Sequence, residues 1–289
     1  MTTSASAAAG LAAECARCSA AKRVALSGLA ERLGIGVLTY TQGASGDGFL
    51  DLAQIRSGLR AGARLVAVSS PSNPTGAVAS AAVLRSLVAL VREFGAYVLS
   101  DEAYESVVFA GGRAPSPLAD GGADVTLAAR TFSKTYSMTG LRVGALISPP
   151  RFRAAAAALH GTTAGCAPVT AQVTAIEALS SLPDRADQLS ATYLARYRTA
   201  MRILGPWAPR TPVETLGGFY VWLDTRSTGQ TSAEVCAALR DRGVVTSSGL
   251  VYSATDGFVR VSLTAPDDVL ARALTLIREQ LDRLAARAR

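Results

Sequence analysis

Thr131-Phe-Ser-Lys134-Thr-Tyr-Ser-Met-Thr-Gly140-Leu-Arg142-Val-Gly144 follows directly on Val125-Thr-Leu-Ala-Ala-Arg130, a run that reads as a β-strand. Lys134 therefore stands just past a strand end, in a small, hydroxyl-rich turn. All but Lys22 and Lys134 of the chain's 29 Lys and Arg residues are arginines. Arginine stays protonated in a protein, whereas a lysine can be desolvated until its amine is a nucleophile. A lysine kept at this one turn is a candidate reactive amine.

Two further apolar, β-rich runs end in the same way. Leu65-Val-Ala-Val-Ser69 leads into Ser70-Pro-Ser-Asn73-Pro-Thr-Gly76, and Ala96-Tyr-Val-Leu-Ser100 leads into Asp101-Glu-Ala-Tyr104. Short continuous apolar runs alternating with helical patterns indicate a parallel sheet, which binds ligands beyond the carboxyl ends of its strands. Asn73, Asp101, Tyr104, Lys134 and Arg142 then converge on one rim. Read singly, Asn73-Pro is an ordinary turn signal, Asp101 a helix cap and Arg260 a rim ion pair. Those separate readings leave unexplained why all of them fall at strand ends.

Taken in order, Ser72–Gly76, 101–104 and 133–144, with Gly217-Gly-Phe-Tyr-Val-Trp-Leu-Asp224 and Phe258-Val-Arg-Val-Ser262, resemble the aminotransferase class I/II family. These are pyridoxal-phosphate enzymes with the aspartate aminotransferase fold, and the resemblance runs from about residue 20 to the C-terminus. It implies an α/β fold: a large domain built on a mostly parallel sheet flanked by helices, and a smaller C-terminal α+β domain. The family's linking helix puts the boundary near 190, giving domains 1–190 and 191–289. The implied roles are specific. Lys134 carries pyridoxal 5'-phosphate as a Schiff base and moves the substrate's α-proton. Asp101 pairs with the pyridine nitrogen, because a nearby anion favours the protonated, electron-withdrawing ring. Asn73 and Tyr104 hydrogen-bond the phenolic oxygen. Arg142 clamps the phosphate with Thr131 and Ser133, and Arg260 takes the substrate carboxylate, with Asn73 beside it. The implied activity moves an amino group between an amino acid and a 2-oxo acid. The same machinery also serves elimination, cyclisation or oxidation of an amino acid, and a shortened homologue could instead persist as a binding partner.

The 289 residues are 49% hydrophobic and 18% charged, so the chain is globular and long enough for two lobes. No apolar run approaches the ~18 residues needed to span a bilayer, and a cytoplasmic protein is expected. The net charge of +7 is spread along helices without interleaved aromatics, so neither nucleic acid nor membrane is an expected partner. A homodimer is expected from the resemblance. Cys15-Ala-Arg-Cys18 lacks the two further ligands of a metal site, Cys166 and Cys236 are single, and His160 has no ligand-like neighbour, so no metal is expected. Residues 7 to 33 read as helical.

The N-terminal end departs from the family pattern. Members carry a substantial stretch ahead of the matching region, with a phosphate-binding turn and an aromatic residue that stacks on the ring. Tyr40 lies too close to Asn73 to be that aromatic. Thr3-Ser-Ala-Ser-Ala-Ala-Ala-Gly10 faintly resembles the phosphate turn, though the composition equally suits a frayed terminus. Part of the pocket wall is expected to be absent. Further on, the sequence predicts strands at 36–40, 213–224, 244–247 and 258–264, with helices at 81–94, 231–242 and 267–287.

Overall fold

The run Leu65–Ser69 forms strand β1 and is buried along its whole length, as a parallel strand covered on both faces must be. A computed structural model of the protein describes residues 32–43, 46–119, 121–253 and 255–288. In it β1 pairs in parallel with β2 (Tyr97–Asp101), and β2 with β3 (Thr126–Thr131). β4 (Gly144–Ile147) closes the order antiparallel to β3. Helices α1 (Leu52–Arg60) and α2 (Ala81–Glu93) cover the sheet and bury Phe49, Leu87, Val91 and Val98 against it. α2 forms because Val83, Leu84, Leu87, Leu90 and Val91 recur at helical spacing and Ser80 caps its start by accepting the Val83 amide. Gly95, at φ 60°, ends it and turns the chain straight into β2.

Beyond β3 the chain makes a single helical turn, α3 (Phe132–Thr135). After β4 come α4 (Pro150–Thr163), α5 (Val169–Ser181) and the long α6 (Ala186–Leu204). A second, antiparallel sheet has the order β5 (Tyr220–Asp224), β7 (Phe258–Ser262), β6 (Ser247–Ser248). α7 (Ser232–Arg240) and α8 (Asp267–Arg287) pack on this sheet with α6. Leu204, Leu223, Leu239, Leu263, Leu274, Ile277 and Leu281 form its fully buried core. The mostly parallel α/β sheet and the smaller α+β sheet both match the expectation from sequence.

Three expected strands differ. Segment 36–40 forms no strand: Tyr40 alone of its residues is buried, so no half-buried face specifies a register. The Tyr40 hydroxyl instead donates to the Ala67 carbonyl at 2.9 Å. Segment 213–224 opens as a 3-10 turn, Val213–Thr215, and Gly218 at φ 70° delays the strand to Tyr220. Segment 244–247 shrinks to β6, with Val245 left exposed. Cys15, Cys18 and the helical reading of 7–31 lie outside the described residues.

The two sheets meet along a seam of backbone. The Gly217 amide donates to the Gly76 carbonyl and the Gly218 amide to the Val107 carbonyl, both at 2.8 Å. A Cβ on Gly217 would lie 2.2 Å from the Val107 carbonyl oxygen. Gly217→Ala is therefore expected to destabilise the protein by about 1–3 kcal/mol. Gly161, within α4, has nothing within 4 Å of the same position. Gly161→Ala should stabilise by about 0.5–1 kcal/mol, so urea unfolding of the two variants separates contact from backbone entropy.

Candidate active site

Parallel register brings the carboxyl ends of the strands together. Ser69 lies beside Asp101, and Asp101 beside Ala129 two residues before β3 ends at Thr131. Asp101 Oδ1 accepts the Ala103 amide at 3.0 Å, which tightens the turn that follows β2. That turn delivers Tyr104, whose ring is 7% exposed and meets Phe219 and Tyr220 edge-on, at centroid distances of 5.2 and 5.7 Å.

From Tyr104 a continuous set of contacts runs through the site. Lys134 Nζ lies 5.9 Å from the Tyr104 ring centroid and 5.8 Å from that of Phe219. The Tyr104 and Tyr220 hydroxyls are 3.0 Å apart. Arg260, on the central strand β7, sets its guanidinium 4.3 Å from the Tyr220 ring centroid and 4.6 Å from that of Tyr252. Its Nη1 donates to Asn73 Oδ1 at 2.9 Å, and its Nη2 to Ser247 Oγ at 3.3 Å. Arg260 Nε is buried without an acceptor. Amine, phenol, guanidinium and amide thus form one cluster drawn from both sheets. Burial pushes the Tyr104 phenol well above its ordinary range, and Tyr220 beside it adds to that shift. Either hydroxyl of the Tyr104–Tyr220 pair can be the donor.

Arg142, Thr131 and Ser133 gather on a neighbouring cavity of about 570 Å³, which Arg153 and His160 also line. Among the described residues no carboxylate lines it. Arg142 is exposed, at φ 54°, and one of its guanidinium nitrogens is engaged by the Thr139 carbonyl at 3.1 Å. Thr131 Oγ1 accepts the Ser133 amide at 3.1 Å, which caps the turn carrying Lys134. A cationic, hydroxyl-bearing wall suits a phosphate. The carboxylate of Asp101 suits a protonated ring nitrogen, and Lys134 an aldehyde. The residues present therefore fit the cofactor named above.

Phe219, Tyr220, Ser247 and Tyr252 were not singled out from the sequence, although the Gly217–Asp224 motif contains the first two. Nothing in sequence spacing ties Ser247 or Tyr252 to Arg260, because the antiparallel pairing of β6 with β7 brings Ser247 there. Among the described residues no group of acidic, His and Cys side chains is arranged to hold a metal ion, and no helix is long and apolar enough to cross a membrane.

The profile of the family described as aminotransferase class I and II matches residues 25–277. An LL-diaminopimelate aminotransferase of Desulforudis audaxviator is 33% identical over 245 residues, covering 83% of this chain and 62% of that protein. An aspartate aminotransferase of Thermococcus kodakarensis is 32% identical over 220 residues, or 76% of this chain and 57% of that one. The chain thus spans about three fifths of the length of these curated relatives. Among solved structures, a probable N-succinyldiaminopimelate aminotransferase of Thermus thermophilus superposes with TM-score 0.84 at 25% identity, covering 94% of this chain and 74% of that one. An aspartate aminotransferase from Thermus thermophilus, at 23% identity and TM-score 0.83, covers 96% and 74% and shares the fold.

The raised Tyr104 pKa has a sign that can be checked. Unfolded tyrosine ionises near 10, so above that pH the unfolded chain loses a proton that the folded one keeps. Stability from this phenol is complete below about pH 10 and declines as pH rises beyond it. Tyr104→Phe should flatten that alkaline decline in the unfolding free energy and leave the tyrosinate absorbance of the folded protein near pH 10 unchanged.

Proposed function

The chain belongs to the aminotransferase class I and II family and has the fold of its pyridoxal-phosphate-dependent transferases, and from that premise we propose that it moves an amino group between an amino acid and a 2-oxo acid. One observation carries this reading. The Lys134 amine and the Arg260 guanidinium approach the same aromatic cluster, joined through the Tyr104–Tyr220 hydroxyl pair, with Asn73 bonded to Arg260. An amine that can hold a cofactor and a guanidinium that can hold a carboxylate thereby share one site.

The bound cofactor supplies an electron sink for the carbanion left when the α-proton departs. In this proposal the chain's own groups do the rest. Lys134 Nζ is the point of attachment and then, as a free amine, carries the proton from the substrate's α-carbon. Asp101 holds the ring nitrogen in its protonated form. The Tyr104 hydroxyl and the Asn73 amide NH2 would hold the phenolic oxygen, since Asn73 Oδ1 is already occupied by Arg260. Arg142, Thr131 and Ser133 anchor the phosphate. Arg260 takes the substrate carboxylate with its remaining N–H groups, and its two flanking tyrosines fix the plane in which that carboxylate binds.

We place the lobe boundary near 190, at the start of α6, whose later residues Tyr197, Ala200 and Leu204 join the core of the second sheet. A homodimer is part of the same reading. Val169, Val173, Ile176 and Leu179 expose 60–72% of their surface along α5, an apolar face suited to a second copy. Cys166 and Cys236 are free thiols, in keeping with the reducing cytoplasm.

Incubation with pyridoxal 5'-phosphate followed by borohydride should fix the cofactor on the peptide containing Lys134. With Lys22 and the N-terminal amine as the other amines, mass spectrometry of the labelled peptides reads the site, and Lys134→Ala should abolish the label on its peptide. Absence of amino transfer with every amino acid and 2-oxo acid pair tried, in a folded and labelled protein, would refute the transferase reading. Arg260→Lys, which keeps the charge but loses the planar fork, should weaken amino-acid binding about 10- to 100-fold while labelling of Lys134 persists. Ile176→Asp should shift the protein from dimer to monomer in light scattering.

A further inference from the structure

Segment 102–106, which follows Asp101 and contains Tyr104, is gripped by two arginines: Arg130, which also lines the cavity beside Arg142, and Arg113, which has no task in the chemistry above. Arg130 Nε donates to Glu102 Oε2 at 2.8 Å and lies 3.3 Å from Glu105 Oε2. Arg113 Nη1 donates to Glu105 Oε1 at 2.9 Å and to Ser106 Oγ at 2.8 Å. Ser106 is 1% exposed, and its Oγ also accepts the Thr135 hydroxyl at 3.2 Å. Thr135 is buried and directly follows Lys134 in the chain. Arg113 Nη2 continues to Asp184 Oδ1 at 3.0 Å, just ahead of α6. Glu102, 3% exposed, is held from its other side by the Ser116 hydroxyl.

The network is too exposed at Arg113 to act mainly through stability. Its side chain is 41% exposed, and ion pairs of that kind contribute about 0–1 kcal/mol. Its geometry is the more telling feature. α3 is one turn of four residues, too short to hold its own direction by helical hydrogen bonds. Its start is fixed by the Thr131 cap, its carbonyls are bonded by the Tyr136 amide and the Thr139 hydroxyl, and its last side chain is tied to the rest of the fold by the hydroxyl bond from Thr135 to Ser106. Arg113 holds the acceptor of that last bond in place, and it does so on the same segment that carries Tyr104. The amine's carrier and the phenol's carrier are thus tied to each other behind the site.

We propose that Arg113, acting through Ser106 and Thr135, is a positioning residue that fixes the direction of the Lys134 amine. This rests on the reading of Lys134 as the cofactor-bearing residue. A lysine amine at the end of four methylenes loses rate steeply when its base is misplaced, and a 1 Å error can cost ~100-fold. Arg113 touches neither cofactor nor substrate in this scheme.

The test uses the full chain and the variants Thr135→Val, Arg113→Met and Arg113→Lys. Thr135→Val removes one hydroxyl at nearly constant volume, so it remains informative even if Arg113→Met folds poorly. Two quantities are measured beside the melting temperature: the rate at which pyridoxal 5'-phosphate becomes reducible onto Lys134, and amide hydrogen exchange across residues 132–136 without cofactor. Both Thr135→Val and Arg113→Met are expected to slow attachment about tenfold and to speed exchange at 132–136, with Arg113→Lys recovering part of each. Unchanged attachment and exchange in Thr135→Val and Arg113→Met, whatever the melting temperature does, overturn the proposal. If the unmodified protein never takes the cofactor at Lys134, the functional reading fails by itself. Exchange at 132–136 then still decides whether Arg113 and Thr135 hold the turn, and no change there overturns it.

Discussion

Everything at the site depends on how closely backbone meets backbone at Gly217. Its amide reaches the Gly76 carbonyl at 2.8 Å, and a Cβ there would lie 2.2 Å from the Val107 carbonyl oxygen. Gly76, at φ 75°, bends the Asn73 turn back toward the same place. No side chain fits between these segments, and that is why the two sheets come within reach of one hydrogen bond between Asn73 and Arg260, residues 187 apart in sequence. A wider seam would leave the carboxylate-binding end and the amine-bearing end of the site on separate bodies. Since Leu216, Phe219 and Tyr220 share a core with Tyr104 and Val107, the seam is sealed by apolar packing as well as by amides.

Given that seam, the chemistry follows from where parallel strands end. Apart from Tyr97 and Thr126 at their starts, strands β1 to β3 carry their polar side chains at their carboxyl ends, where the chain leaves the sheet. Ser69, Asp101 and Thr131 are those exits, and the three turns beyond them carry Asn73, Tyr104 and Lys134. Aromatic rings from the second sheet then close over the polar groups. This lowers the local dielectric, and it is burial that raises the Tyr104 phenol and keeps its proton in place.

Much of this was legible in the sequence because each turn has its own short-range signature. Lysine scarcity points to Lys134, helical periodicity to α2, and the strand-then-turn pattern to Asn73, Asp101 and Tyr104. What escaped notice depends on contacts between distant segments. Tyr220 matters because its hydroxyl meets Tyr104, and Ser247 because β6 pairs with β7. Arg113 sits in a Gly- and Pro-rich loop that reads as an ordinary connection, and only folding brings it to Ser106. The strand expected at 36–40 failed for the opposite reason. Its local pattern was adequate, but burial of Tyr40 alone gives a ladder nothing to register against.

Unpaired donors give the last step. Folded proteins pair nearly all buried polar groups, and each one left alone costs about 1–3 kcal/mol. Among the described residues, Gln42 Nε2, Ser69 Oγ and Arg260 Nε are buried without a partner. Two of these three belong to the site: Ser69 ends β1 beside Asp101, and Arg260 holds Asn73. The charged network behind the Lys134 turn presents the contrast, because Glu102, Glu105 and Ser106 all have partners there. The polar groups behind the Lys134 turn are thus paired within the protein, whereas Arg260 keeps one donor for an acceptor from outside it. A carboxylate at Arg260 would accept from the Nε donor that has no protein acceptor. Binding energy of this kind favours occupancy of the site without any rearrangement of the sheets.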